Sequence, residues 1–233
     1  SNVLVRDGGI RGVVVCLANP SFCGVAVAGD RVQAGAGAKL RQVAIAARRA
    51  GLGGLEFLEG IPGSVGRALR MNAGAMGSWI FDRVDSIRWM NRDGRVEERP
   101  RSEVDVQYRR CPSLCTRIAL RVHLRGERVA LDMIERRAEE FNRRRWATQP
   151  AAPSAGCIFK NPEAMPAGKL IDALGLKGTR VGGAVVSDVH ANFIVNEGDA
   201  TAADVLRLIE LVRQRVRADR GIDLETEVQI VGE

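Results

Sequence analysis

In the run Ser154-Ala155-Gly156-Cys157-Ile158-Phe159-Lys160-Asn161-Pro162, a turn of small residues delivers a thiol, an ammonium and a side-chain amide in quick succession. A thiol gives up a proton or attacks as a nucleophile, Lys160 offers positive charge to an anionic substrate, and Asn161 both donates and accepts hydrogen bonds. Pro150, Pro153 and Gly156 fix the backbone around that thiol. The plain alternative is a polar loop in which Cys157 is a small buried hydrophobe, and on this stretch alone the alternative is the stronger.

A second constellation, Ile61-Pro62-Gly63-Ser64-Val65-Gly66, offers backbone N–H groups unshielded by a Cβ, the requirement for cradling a pyrophosphate. No Gly-Lys-Ser/Thr follows, so it is not a P-loop, and it does not match the dinucleotide fingerprint that follows a buried strand. A purely structural turn explains one such loop equally well; with Asn72-Ala73-Gly74 behind it, binding is favoured. Five cysteines form no disulfide pattern for a chain of this length, and Cys111 with Cys115 lacks a second half for a zinc site, so no metal is expected.

These residues need elements to hold them. Short β-branched runs at residues 3–5, 13–15, 25–27 and 31–34 predict a β meander, and residues 40–50 a helix stopped by Gly51. Strands are expected at 84–90 and 95–98 around an Asp-Gly turn, and again at 118–124. A charged helix is expected at 130–146, a linker at 148–153, a short helix near 170–174 and a strand at 191–196. Thr201 and Asp204 open a further helix that Gly221 ends, and residues 225–231 alternate as a closing strand. The composition shift near Gly126 divides the chain into domains 1–126 and 127–233.

The 233 residues, 45% of them apolar, are enough for a sizeable core, and no apolar run approaches the roughly 20 residues that span a bilayer. The expectation is a soluble, cytoplasmic protein. Much of the net charge of +7 lies among Arg136, Arg137, Arg143, Arg144 and Arg145, interleaved with Glu135, Glu139 and Glu140 as on a solvated helix face. With 4% aromatic residues, few platforms exist for stacking bases, so a phosphorylated small molecule fits the basic surface better than a nucleic acid.

Taken in order, Ser1-Asn2, residues 61–66 and 72–77, Tyr108-Arg109, residues 154–162, Leu176-Lys177-Gly178, Gly182-Gly183-Ala184, His190-Ala191-Asn192-Phe193 and residues 224–228 resemble the motifs of the UDP-N-acetylenolpyruvoylglucosamine reductase family. The segment 187–193 is similar to the family's shorter type, without a tyrosine-bearing insertion. The resemblance covers nearly the whole chain. It implies an α+β fold with a flavin-binding domain like that of vanillyl-alcohol oxidase and a C-terminal substrate domain. It further implies FAD as cofactor, NADPH as hydride donor, and reduction of UDP-N-acetylglucosamine enolpyruvate to UDP-N-acetylmuramate for peptidoglycan.

Carried over by position, the resemblance makes Cys157 the proton donor, with Arg109 and Glu227 steadying an enol-type intermediate. It assigns Tyr108, Asn161, Lys177 and His190 to substrate, and Ser1, Asn2, Ile61, Pro62, Gly63, Ser64, Gly66, Asn72, Ala73 and Gly74 to FAD. Arg67 and Cys111 depart from the family's usual glycine and serine. The family has a small lobe before Ser-Asn, so the flavin domain is expected to be N-terminally truncated here and to hold FAD weakly. A nucleotide-sugar-binding remnant without flavin is the rival reading, an oxidase of the same fold a weaker one, and a monomer is the expected state.

Overall fold

The computed structural model describes residues 2–233, and its chain separates into two compact units. One is Val15–Arg145; the other joins the residues up to Val14 to Trp146–Glu233.

In the Val15–Arg145 unit a five-stranded antiparallel sheet runs in the order Val25–Ala28, Arg31–Gly35, Ile118–Arg125, Val84–Met90, Val96–Pro100. Alternation puts Val122 with Leu124, and Ile87 with Trp89 of the neighbouring strand, into the core, while Ala119 and Val84 are buried across the places where the pairing slips, between Arg88 and Trp89 and between Val84 and Ser86. Helix α1 (Leu40–Arg49) covers the sheet with Leu40, Val43, Ala44 and Ala47, the helical spacing visible in its sequence. Gly51, in the left-handed region at φ 67°, ends it. The short helix α2 (Val65–Arg70) follows the glycine-rich loop, with Ser64 as its N-cap.

The helix α3 (Leu131–Thr148) buries Ile134 and Ala138 and leads into the second unit. There Val3–Val5 pairs in parallel with Gln229–Val231. Beside it stands a four-stranded antiparallel sheet, ordered Ser154–Cys157, Phe193–Asn196, Ala184–Val186, Arg180–Val181. Helix α4 (Ala167–Ala173) and helix α5 (Ala202–Arg220) pack on its core. Thr201 and Asp204 form the capping box of α5, Asp7 accepts from its Ala202 and Ala203 N–H groups at 2.7 and 2.9 Å, and Gly221 closes it at φ 65°. Among the described residues no helix is long and apolar enough to cross a membrane.

Several expectations need correction. Residues 13–15 form no strand, and Val13 is 91% exposed: β-branched residues make a strand only where a partner edge is free. Strand Val3–Val5 belongs to no meander, since its partner lies at the other end of the chain. The closing strand covers only Gln229–Val231, because residues 225–228 spend their backbone bonds on residues 158–160. Compactness alone groups the chain differently from the expected domains 1–126 and 127–233, whose division is one of function. Phe141 packs on the first core, which keeps α3 through Arg145 with the first unit, while the chain start joins the second.

Candidate functional site

Cys157 ends a strand that is bent to present it. Gly156 adopts φ 85°, a conformation that strains any residue with a Cβ, and the pairing with Phe193–Asn196 slips between Ser154 and Cys157. Beyond the thiol, the chain is bound to residues 225–228. The Ile158 carbonyl accepts from Glu227 N–H at 2.7 Å, and Lys160 N–H donates to the Glu225 carbonyl at 2.9 Å. Cys157 and Glu227 are thus carried on adjoining stretches of backbone, and Glu227 is 8% exposed. Its carbonyl accepts from the side-chain amide of Asn2 at 3.0 Å. Asn2, buried and at φ 64°, stands beside Glu227 in the unit that also holds Cys157. Ser1 lies outside the described residues.

A cleft of about 320 Å³ opens next to Cys157, lined also by Asn161, Lys169, Lys177 and His190. Asn161 Oδ1 accepts from Ala167 N–H at 3.1 Å, which ties it to the start of α4. Lys177 Nζ pairs with Asp172 at 2.9 Å. His190 Nδ1 accepts from Asn192 N–H at 3.1 Å, so the neutral ring carries its proton on Nε2. Burial lowers the His190 pKa and the charge of Lys177 lowers it further, against a raising effect of Asp172 and a backbone hydrogen bond. The ring rests edge-on against Phe193, with centroids 4.9 Å apart. Lys160 does not offer its charge to this cleft as its type promised, because it is paired with Glu225.

In the Val15–Arg145 unit, Tyr108 and Arg109 form the tip of a tight turn closed by two bonds between Gln107 and Arg110, at 2.8 and 3.2 Å. Arg109 stands at φ 55°, a left-handed backbone region unusual for a residue with a Cβ. Its guanidinium carbon lies 5.0 Å from the Trp79 ring centroid and 5.4 Å from that of Tyr108, and the two rings meet edge to face at 5.6 Å. Asn72 reaches across to this turn, its Nδ2 donating to the Gln107 carbonyl at 3.3 Å. Among the described residues, Asn72 Oδ1 is buried without a hydrogen-bond partner.

The loop at residues 61–66 is built differently from the sequence argument. Val65 and Gly66 N–H groups donate to the Ala38 and Ala36 carbonyls at 2.9 and 2.8 Å, so these two donors hold the loop rather than an anion. Gly66 is needed for close packing, since a Cβ there would meet Ala36 at 3.2 Å. A cleft of about 510 Å³ beside the loop is lined by Ser64, Gly66, Arg67, Arg70 and Arg117. Arg67 and Arg70 donate to the carbonyls of Pro62 and Leu114, at 3.1 and 2.7 Å. Cys111 is fully buried, and burial pushes its thiol pKa up, which makes it a core residue. The orphaned Asn72 acceptor and the arginine-lined cleft fit a cofactor that carries both a ring N–H and phosphates.

Three residues of this architecture escaped the sequence reading. Trp79 carries no pattern signal. Gly168 leaves room for His190, because a Cβ there would stand 3.0 Å from its Cε1. Asn192 was visible within the His-Ala-Asn-Phe motif but drew no role of its own. Among the described residues no group of three or more His, Cys, Asp or Glu side chains stands close enough to hold a metal ion.

Two family models match the chain: an FAD binding domain over residues 1–99, and the C-terminal domain of UDP-N-acetylenolpyruvoylglucosamine reductase over residues 149–231. The chain is 48% identical over all 233 residues to the UDP-N-acetylenolpyruvoylglucosamine reductase of Geobacter metallireducens, spanning 77% of that protein's length. To the reductase of Clostridium botulinum strain Hall it is 45% identical, again over the whole chain and 76% of the relative. The crystal structure of the Thermus caldophilus reductase superposes with a TM-score of 0.81 at 37% identity, covering 98% of this chain and 82% of that one. Identity at this level along the entire length, with the fold retained, means that the chain belongs to the UDP-N-acetylenolpyruvoylglucosamine reductase family.

Proposed function

We propose that this protein catalyses the NADPH-dependent, FAD-mediated reduction of UDP-N-acetylglucosamine enolpyruvate to UDP-N-acetylmuramate, a step of peptidoglycan precursor synthesis. The observation that carries the reading is the backbone junction of Ile158 with Glu227, which sets a carboxylate on the segment adjoining Cys157, whose thiol lines a cleft rich in cationic and hydrogen-bonding groups. FAD, when bound, supplies the carrier that takes hydride from NADPH and delivers it to the enolpyruvyl double bond.

The protein's own residues handle the rest. Addition of hydride to one carbon leaves negative charge beside the substrate carboxylate, and the Arg109 guanidinium, held against the rings of Trp79 and Tyr108, suits that charge. The adjacent carbon then needs a proton, which the Cys157 thiol gives as general acid, leaving a thiolate to be reprotonated from solvent. Glu227 stabilises the enol form before that transfer. Lys177, Asn161 and the Nε2–H of His190, which line one cleft, are suited to the diphosphate and sugar of the nucleotide substrate, and the half-exposed ring of Tyr108 to its apolar faces. A neutral His190 can still donate one hydrogen bond to phosphate, so its lowered pKa is compatible with this role.

For the cofactor we propose Asn2, Asn72, Ala73, Gly74 and the loop of Ile61, Pro62, Gly63, Ser64 and Gly66 as the neighbourhood of FAD. Arg67 and Arg70 join them as charged neighbours that the sequence argument did not include. We further propose that residues 1–126 serve mainly the flavin and residues 127–233 mainly the substrate. The intact Arg109, Cys157 and Glu227 speak against the remnant reading. The deciding experiment is anaerobic: NADPH should bleach the flavin of the loaded protein, and the enolpyruvyl nucleotide should restore its colour with formation of UDP-N-acetylmuramate. Bleaching without restoration would overturn the substrate assignment.

A further inference from the structure

We infer that Asn192 is a positioning residue for the reaction: with its side chain and its own backbone N–H and C=O it sets Cys157, His190 and, through Ile158, Glu227. The inference rests on the functional reading above but adds a residue to which that reading gives no part.

Around Asn192 the backbone departs from a regular ladder. Its carbonyl accepts from Ile158 N–H at 2.9 Å, while its side-chain Oδ1 accepts from the next amide, Phe159 N–H, also at 2.9 Å. The side-chain Nδ2 then donates to the Phe159 carbonyl at 2.8 Å. One residue thus makes three bonds to the backbone of two consecutive residues, Ile158 and Phe159, immediately after Cys157. The opposite side of the same segment is held by Glu227 N–H on the Ile158 carbonyl at 2.7 Å. The strand that carries the thiol is gripped from both sides, and the carboxylate-bearing segment is fastened to it. Asn192 also turns toward the substrate cleft, because its N–H donates to His190 Nδ1 and thereby fixes the ring's tautomer and direction.

The chemistry selects asparagine. Satisfying both the N–H and the C=O of Phe159 requires a donor and an acceptor on one short planar group. Aspartate lacks the donor and would turn a second acceptor toward the Phe159 carbonyl, leucine lacks both functions, and glutamine is one methylene too long. Asn192 is 3% exposed and Phe159 2%, so water has no route to take over either bond. Asn192 does not itself touch the reacting carbons. Its effect is on geometry, where a displacement of about 1 Å is enough to cost roughly 100-fold in rate.

The test compares Asn192→Asp with Val216→Ala, a core truncation in α5 that loosens the same unit without touching the strand. Both are measured in the flavin-loaded full chain by stopped flow. We expect Asn192→Asp to keep the parent's rate of flavin bleaching by NADPH while reoxidation by the enolpyruvyl nucleotide falls about 100-fold. Val216→Ala should leave both half-reactions near the parent's. A second readout needs no turnover: iodoacetamide labelling of Cys157, resolved by peptide mass from the other cysteines, should be about tenfold faster in Asn192→Asp than in Val216→Ala, because local opening of the strand exposes the thiol. If Asn192→Asp does not fold, Asn192→Ser, whose single short hydroxyl cannot serve both Phe159 groups, carries the same comparison. Reoxidation and labelling that match Val216→Ala would overturn the inference. A parent that the enolpyruvyl nucleotide fails to reoxidise would instead overturn the functional reading, with the labelling comparison still deciding whether Asn192 holds the strand.

Discussion

Gly168→Ala should separate substrate binding from everything else this protein does. The added Cβ would stand 3.0 Å from His190 Cε1, 3.5 Å from its Nδ1 and 3.6 Å from Asn192 Cβ. Carbon atoms in good contact lie about 3.5–4.0 Å apart, so the imidazole has to retreat by roughly 0.5 Å. The bond between Asn192 N–H and Nδ1, already 3.1 Å long, would stretch toward the limit of a hydrogen bond. A charge-assisted bond from Nε2–H to phosphate is worth about 1.5–3 kcal/mol, and losing it corresponds to a roughly 10- to 150-fold weaker complex. Stability moves the other way, since alanine is preferred over glycine within a helix by about 0.5–1 kcal/mol, which offsets the local strain. The variant should therefore melt near the parent while its KM for the enolpyruvyl nucleotide rises at least about tenfold, with kcat and flavin reduction by NADPH little changed. Steady-state kinetics with a thermal melt on the same sample reads all of these. An unchanged KM in a normally folded variant would refute both the tight seat of His190 and its place at the substrate.

Cys157→Ala should slow reoxidation of the flavin by substrate about 10²–10⁴-fold while leaving bleaching by NADPH intact, and Cys157→Ser should retain much of the activity through its hydroxyl; alanine-variant reoxidation at the parent rate would return Cys157 to the role of a small packed thiol. Arg109→Lys should lower turnover with little change in melting temperature, since lysine keeps the charge but loses the flat surface that Trp79 and Tyr108 hold; parent-like turnover would remove Arg109 from the reaction. Stability should also depend on pH through His190. Its folded pKa is held below the usual 6.5, so the contribution is complete above that value and is lost as pH falls through the folded pKa, where the unfolded chain takes up a proton that the folded chain refuses. Melts of the parent and His190→Gln across that range should show the steeper acid loss in the parent, and parallel curves would show that the ring is not held neutral.

Much of the scaffold could be read directly. Helix α1 was legible because Leu40, Val43, Ala44 and Ala47 repeat at helical spacing before Gly51, and α5 because Thr201, Asp204 and Gly221 mark its ends. These are local effects of periodicity and capping, which hold wherever the segment packs. Residues 13–15 show the limit: three valines in a row have strand propensity, yet a strand needs a neighbour, and the sequence does not name one.

By itself the sequence determined the family, the order of its motifs and the residue types available for chemistry, because those properties are carried by identity and position along the chain. Only the tertiary structure decided which groups were already spoken for. Lys160 is neutralised by Glu225, Val65 and Gly66 N–H groups are consumed by Ala38 and Ala36, and Asn72 braces the Arg109 turn with one atom while keeping another unsatisfied. The same holds for Asn2, whose amide meets Glu227 from 225 positions away, and for Gly168, whose missing Cβ matters only because His190 stands against it. A side chain's capacity to donate, accept or carry charge is set by its type, but the share of that capacity left for a ligand depends on partners that only folding brings within about 3 Å.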